Sequence, residues 1–267
     1  MKDLKVQIVI QVTPSFNQIM PKNKNQSEIK IELKDLLEAG CHFGHQAQRW
    51  HPKMSPYLYG VRQGVHVFDL AKTKEGLEKA LEFIKETTAN GGKVIFVGTK
   101  RQAQGIIKEE AQKAKMPFIT ERWLGGLITN WENIKKSIDK LKELKAQKET
   151  GELKRYTKKE NLLIDREIAR LQRFFGGLVD LEELPAALFV VDVKKEKAAV
   201  REAAKKKIKV VAIVDSNSDP DLVDLVIPAN DDAVGSIKLI VETIGRAAKE
   251  GREIFEKKQK ELKKSAS

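Results

Sequence analysis

Residues 186–215 read AALFVVDVKKEKAAVREAAKKKIKVVAIVD, two apolar runs of strand length with a charged, alanine-rich segment between them. The runs at 186–193 and 209–215 are continuous in Val, Ile, Leu and Phe rather than alternating, which is the pattern of strands buried on both faces. The segment between them, KKEKAAVREAAKK, has the composition of a helix. Strand, helix and strand in that order predict a unit of parallel sheet.

The same rhythm extends outward in both directions. Strand-length apolar runs recur as VHVFDL (65–70), KVIFVGT (93–99), MPFIT (116–120) and DLVIP (224–228), with helical segments LAKTKEGLEKALEFIKETTAN and KRQAQGIIKEEAQKA among them. The prediction is an α/β fold with a doubly wound parallel sheet. Just before the first long helix, PYLYGVRQGVHVFDL predicts a hairpin turning at Arg62-Gln63-Gly64, which would feed the edge of that sheet.

Two segments break the rhythm. In residues 129–178, Ile134, Ile138, Leu141 and Leu144 recur at helical spacing, a turn falls near Thr150-Gly151, and Ile164, Ile168, Leu171 and Phe175 repeat the pattern. An inserted antiparallel helical hairpin with one apolar seam is expected. Between 135 and 173 there are 13 Lys or Arg against seven Asp or Glu, so its solvent faces are basic. The second segment is residues 246–267, a charged, basic C-terminal helix or tail that continues the last packing helix. Residues 29–128 and 179–245 are left as the α/β core, and residues 1–28 as an N-terminal extension. That extension carries no arginine and no clear small-residue cleavage site, so it reads as an extra arm rather than a leader peptide.

Composition narrows the chemistry. A net charge of +12 gives the chain the electrostatic surface that a polyanion partner selects. No apolar run approaches the length needed to cross a membrane. The single cysteine, Cys41, excludes an intramolecular disulfide and suits a reducing cytoplasm.

Enzymatic signatures are scarce. The dinucleotide pattern G-x-G-x-x-G, the phosphate-cradling G-x-x-x-x-G-K-[ST] and the nucleophile elbow G-x-S-x-G are all absent. The predicted strand ends carry Asp69, Gly98-Thr99-Lys100, Asp192 and Asp215-Ser216, where most such groups serve as caps of the following helix. The competing reading is a metal-dependent phosphoesterase or nucleotide-binding enzyme built on Asp69, Asp192 and Asp215.

CHFGHQAQRWHPKMSPYLYG, residues 41–60, gathers Cys41, His42, His45 and His51 at spacings that match no standard zinc pattern. Adjacent Cys41 and His42 also seldom adopt nucleophile–base geometry, so a buried, inert thiol is expected. What the stretch does offer is Gln46, Arg49 and Lys53 as donors with Trp50 as a flat ring, a mixture suited to phosphates and unpaired bases. ERWLGGLITNW repeats that mixture with Arg122, Trp123, Asn130 and Trp131. Two such patches on a basic chain point to RNA.

Taken together, LLEAGCHFGHQAQRWHPKMSPYLYG, VIFVGTKRQA, RWLGGLITN, LFVVDVKKEKAAVREA and VVAIVDSNSDPDLVDLVIPANDDAVGSI resemble, in order, the signature blocks of the bacterial small-subunit ribosomal protein S2 family over residues 29–245. The resemblance implies a flavodoxin-like α/β/α core with a protruding coiled-coil hairpin and a structural, non-enzymatic role in the cytoplasmic ribosome. It implies small-subunit rRNA as partner near the junction of head and body, and other small-subunit proteins, including the large one that recruits mRNA. No membrane and no small-molecule substrate are implied. Cys41 and His51 depart from the residues usual in that family, and the N-terminal extension is longer than usual.

The expected RNA contacts are Gln46, Arg49, Trp50, Lys53, Lys100, Arg101, Arg122 and Asn130, with hairpin and tail assisting. No cofactor is required. A divalent metal, zinc or magnesium, is weighed at His45, Asp192 and Asp215, because Asp192 and Asp215 end consecutive predicted strands and His45 could reach over the sheet to them. The alternative is a histidine hydrogen-bonded to a capping aspartate.

Overall fold

A five-stranded parallel sheet is the spine of residues 31–265, the part of the chain that the computed structural model describes. Its strands are β4 (Val94–Val97), β5 (Phe118–Ile119), β6 (Ala187–Val191), β7 (Lys209–Val214) and β8 (Leu225–Pro228), in the spatial order β5-β4-β6-β7-β8. All neighbours run parallel, with Ile95 opposite Leu188, Leu188 opposite Val210 and Ala212 opposite Val226. Every residue of β4 and β6 is buried, as their unbroken apolar sequences require.

Counting only these five strands in chain order, the sequence across the sheet is 2-1-3-4-5. That is the flavodoxin-like arrangement, and its order reverses between β4 and β6.

Helices cover both faces. The helices α2 (Leu70–Ala89), α3 (Arg101–Ala114) and α7 (Val234–Ser265) form one layer, with α7 lying along both α2 and α3. Asp69 starts α2 by accepting the Ala71 N–H at 3.0 Å, the capping role expected of it. On the opposite face α6 (Lys197–Lys205) is too short to cover the sheet alone. The base of the inserted hairpin completes that layer: Ile138, Leu141, Leu171 and Phe175 share one buried cluster with Leu188, Val190 and Ala203.

The hairpin consists of α4 (Trp131–Thr150) and α5 (Lys158–Phe175) packed against each other. Gly151 ends α4 at φ 78°, a left-handed conformation that costs glycine little, and Thr157 with Glu160 forms a capping box that starts α5. Leu162 and Leu163, off the seam, are more than half exposed, while Leu153 near the turn is buried.

One expectation about the edges needs correction. The hairpin of β2 (Leu58–Arg62) and β3 (Val65–Phe68) forms around Gln63 and Gly64, both with positive φ, but it does not join the parallel sheet. It pairs with β1 (Phe43–Gln46) in a separate antiparallel sheet ordered β1-β3-β2. VHVF is therefore not a strand of the core. Its physical signature is one-sided burial, His66 and Phe68 inward and Val65 and Val67 half exposed, which differs from that of the core strands. At the other end α7 runs unbroken through residue 246, with Ala247, Ala248 and Gly251 still buried, so the charged C-terminal segment begins as packed helix.

A further short helix, α1 (Leu33–Glu38), precedes β1. The arm expected over residues 1–28 lies outside the described residues. Among the described residues no helix is long and apolar enough to cross a membrane.

Candidate functional site

The chain reversal between β4 and β6 opens the crevice in which α/β sheets place their ligands, and here it is filled by Lys100. Its Nζ lies 3.0 Å from Asp192 Oδ2, 2.7 Å from Asp231 Oδ1 and 2.7 Å from Asp232 Oδ1. Lys100 follows β4, Asp192 follows β6, and Asp231 and Asp232 follow β8, so the carboxyl ends of three strands meet on one ammonium. Burial alone would lower the Lys100 pKa, but the surrounding carboxylates, Asp231 foremost, outweigh it and raise it.

His45 closes the cluster from the antiparallel sheet. Its Nδ1 is 3.0 Å from Asp215 Oδ1 and its Nε2 is 3.3 Å from Asp232 Oδ2. The hydrogen bond with Asp215 raises the imidazole pKa, burial opposes it, and the charges of Asp215, Asp231 and Asp232 add to the rise. The backbone of β1 reaches this position because residue 44 is glycine: a Cβ there would stand 2.8 Å from Ser216 Oγ. Ser216 Oγ instead accepts the His45 N–H at 2.8 Å.

Asp231 is the strained member. Burial, then the Asp215 and Asp192 carboxylates, push its pKa up to about 8 against the pull of Lys100, and its Oδ2 has no hydrogen-bond partner. His45, Asp231 and Asp232 each offer a ligand atom within 4.8 Å of the others, the one such trio among the described residues.

These positions correct the metal set drawn from sequence. Asp192 and Asp215 do end neighbouring strands, and His45 does reach Asp215. Asp192, however, faces Lys100, whose ammonium already sits where a cation would. The trio that geometry brings together is His45, Asp231 and Asp232. Cys41 is fully buried, with its pKa raised by burial, and so takes no part.

The residues expected to touch RNA divide into three groups. Gln46, Arg49, Trp50 and Lys53 line an exposed loop over the end of β7, anchored where the His51 N–H donates to Ser216 O at 2.7 Å. Trp50 keeps 38% of its surface exposed and rests on the His66 ring at 5.0 Å. Lys53 is held by Asp221 at 2.7 Å and Asp219 at 3.2 Å. Arg101, at the start of α3, is exposed, whereas Lys100 beside it is committed to the carboxylates and has no free ammonium to offer a phosphate.

The third group is the β5–α4 loop. Arg122 and Asn130, the residue before α4, are exposed, but Trp123 is buried and cannot stack on a base. Its indole N–H donates instead to Glu202 Oε1 at 3.1 Å. The same carboxylate accepts the N–H groups of Gly126 at 2.7 Å, Ile128 at 3.0 Å and Thr129 at 3.2 Å, and the Thr129 hydroxyl at 3.2 Å. Burial would raise the Glu202 pKa, yet these donors together hold it below the usual glutamate value. One side chain of α6 thus fixes the whole loop.

Glu202, Asp231 and Asp232 were not singled out from sequence. Glu202 had a signal: it lies beside Ala199 and Ala203 on the buried stripe of α6, where a carboxylate must be satisfied. Asp231 and Asp232 follow the last core strand and would have been found by inspecting that strand's carboxyl end like the others.

A family model described as "Ribosomal protein S2" matches residues 36–251. The small ribosomal subunit protein uS2 of Coprothermobacter proteolyticus is 52% identical over 223 residues, 84% of this chain and 83% of that protein. The protein of the same name from Synechocystis sp. is 48% identical over 222 residues, 83% of this chain and 82% of its own length. That of Bdellovibrio bacteriovorus is 51% identical over 229 residues, 86% of this chain and 73% of its own.

Proposed function

The chain belongs to the ribosomal protein S2 family, and from that premise we propose that it acts in the cytoplasmic ribosome as a structural constituent of the small subunit that binds small-subunit rRNA near the junction of head and body. In this role it helps dock the large ribosomal protein that recruits mRNA. The observation that carries the RNA part is the exposed stretch of Gln46, Arg49, Trp50 and Lys53, which puts the Arg49 guanidinium and an aromatic ring on one surface, with Lys53 beside them shared with Asp219 and Asp221. Arg101, Arg122 and Asn130 extend it.

The strand ends favour structure over turnover. Asp69 caps α2, Asp192, Asp231 and Asp232 hold Lys100, and Asp215 holds His45. Each carboxylate that an α/β phosphoesterase would need for a metal is engaged by the protein itself.

The test is the salt dependence of binding to small subunits stripped of this protein. Phosphate contacts release counterions, so log affinity should fall linearly with log salt, with a slope of about −0.9 per phosphate neutralised. Affinity that hardly changes between low and physiological salt contradicts the electrostatic reading.

A further inference from the structure

A second cleft of about 590 Å³ lies far from the His45–Lys100 cluster, along β5 at the edge of the sheet, and falls in the size range of clefts that take a ligand, about 300–1,000 Å³. Lys93, just before β4, and Lys115, just after α3, stand at the amino-terminal foot of the strands, whereas Lys100 stands at the carboxyl end. Lys108, Arg173 and Arg252 join them from α3, α5 and α7.

The protein pairs two of the five cations of this cleft and leaves three without an ion pair among the described residues. Arg173 pairs with Glu121 at 2.8 Å, and Arg252 pairs with Glu256 at 2.8 Å while donating to Lys115 O. Lys93, Lys108 and Lys115 make no ion pair among the described residues, and Asp180 is the one acid of the lining left to face them. Burial, and then the neighbouring Arg252 charge, hold the Lys93 pKa below the usual lysine value against the opposing pull of Asp180, Glu182 and Glu256. An anion entering the cleft would offset the Arg252 charge.

We propose that this cleft holds the sugar-phosphate backbone of small-subunit rRNA, a second RNA-facing surface beside β5. The inference rests on the ribosomal reading above and adds to it a location and three named lysines. A chain of phosphates fits better than a single one, because the three lysines come from separate places in the fold, the foot of β4, the middle of α3 and the residue after α3.

The test titrates stripped small subunits with the full chain over a range of salt. The main variant combines Lys108→Gln with Lys115→Asn, both exposed positions, asparagine being chosen because it tolerates the φ of 52° at 115. The expected result is a log–log salt slope shallower by about two and an affinity at least about tenfold lower at physiological salt. Adding Lys93→Gln should remove about one more unit of slope. Inorganic phosphate, at matched ionic strength, should compete no better than chloride.

Unchanged slope and affinity in the double variant overturn the proposal, and if Arg49→Gln weakens binding in the same assay, the ribosomal reading survives that failure. Strong competition by inorganic phosphate overturns it in favour of a free-anion site. Failure of the unaltered chain to bind stripped subunits overturns both.

Discussion

The Lys100 ammonium stands 2.7 Å from Asp231 Oδ1, at the point where the strand order of the parallel sheet reverses. Four aspartates, Asp192, Asp215, Asp231 and Asp232, crowd that point, and Lys100 and His45 are the groups that balance them. A crevice that elsewhere receives ligands is closed here by an internal cation.

Removing that cation should therefore be costly. Lys100→Met leaves buried carboxylates facing one another and is expected to lose about 3–5 kcal/mol of stability, the range for breaking a buried ion pair on one side. Asp231→Asn added to Lys100→Met should restore part of the loss. Urea unfolding of the three proteins checks both statements, and a Lys100→Met chain as stable as the parent refutes them.

Glu202 predicts a pH signature. Its folded pKa lies below the ordinary 4.5, so its contribution is present above 4.5 and is lost as pH falls through the lower folded value. Glu202→Gln should unfold at lower denaturant than the parent at pH 7, and the gap should close under acid. Glu202→Ala leaves several donors of the loop without an acceptor and should cost about 3 kcal/mol or more at pH 7. A gap that is constant with pH contradicts the charge-assisted clamp.

Gly44→Ala tests how β1 reaches the cluster. The added methyl would meet Ser216 Oγ at 2.8 Å and the His66 carbonyl oxygen at 3.2 Å, so β1 must shift and His45 must leave Asp215. The expected outcome is a lowered His45 pKa, read by titrating its ring resonances, together with a lower melting temperature. An unshifted titration would mean that the pair does not depend on this close approach.

Trp50 separates stacking from charge. Trp50→Phe keeps a flat ring and should retain most affinity for stripped subunits, whereas Trp50→Ala should lose about tenfold with no change of salt slope, the value of one base-stacking contact. Equal affinity of all three would remove Trp50 from the interface.

How far the sequence reaches depends on the physics of each element. Core strands such as ALFVV were legible because burial on both faces leaves no room for polar residues, and the hairpin helices were legible because their apolar spacing is helical. VHVF was misplaced because a short apolar run does not state which sheet it joins, a matter settled by pairing with β1. His45 with Asp215 was legible from neighbouring strand ends, but the capture of Asp192 by Lys100 was not, since it depends on where a long flexible side chain finds three carboxylates. Trp123 looked like a stacking ring because nothing local marks its buried partner Glu202, 79 residues further on.

The most direct test of the account is sucrose-gradient sedimentation of the tagged full-length chain in cell extract at magnesium concentrations that keep subunits intact. The account predicts that the chain sediments with the small subunit and moves to the top of the gradient when RNase destroys the particle. A chain that stays at the top of the gradient in untreated extract would contradict it.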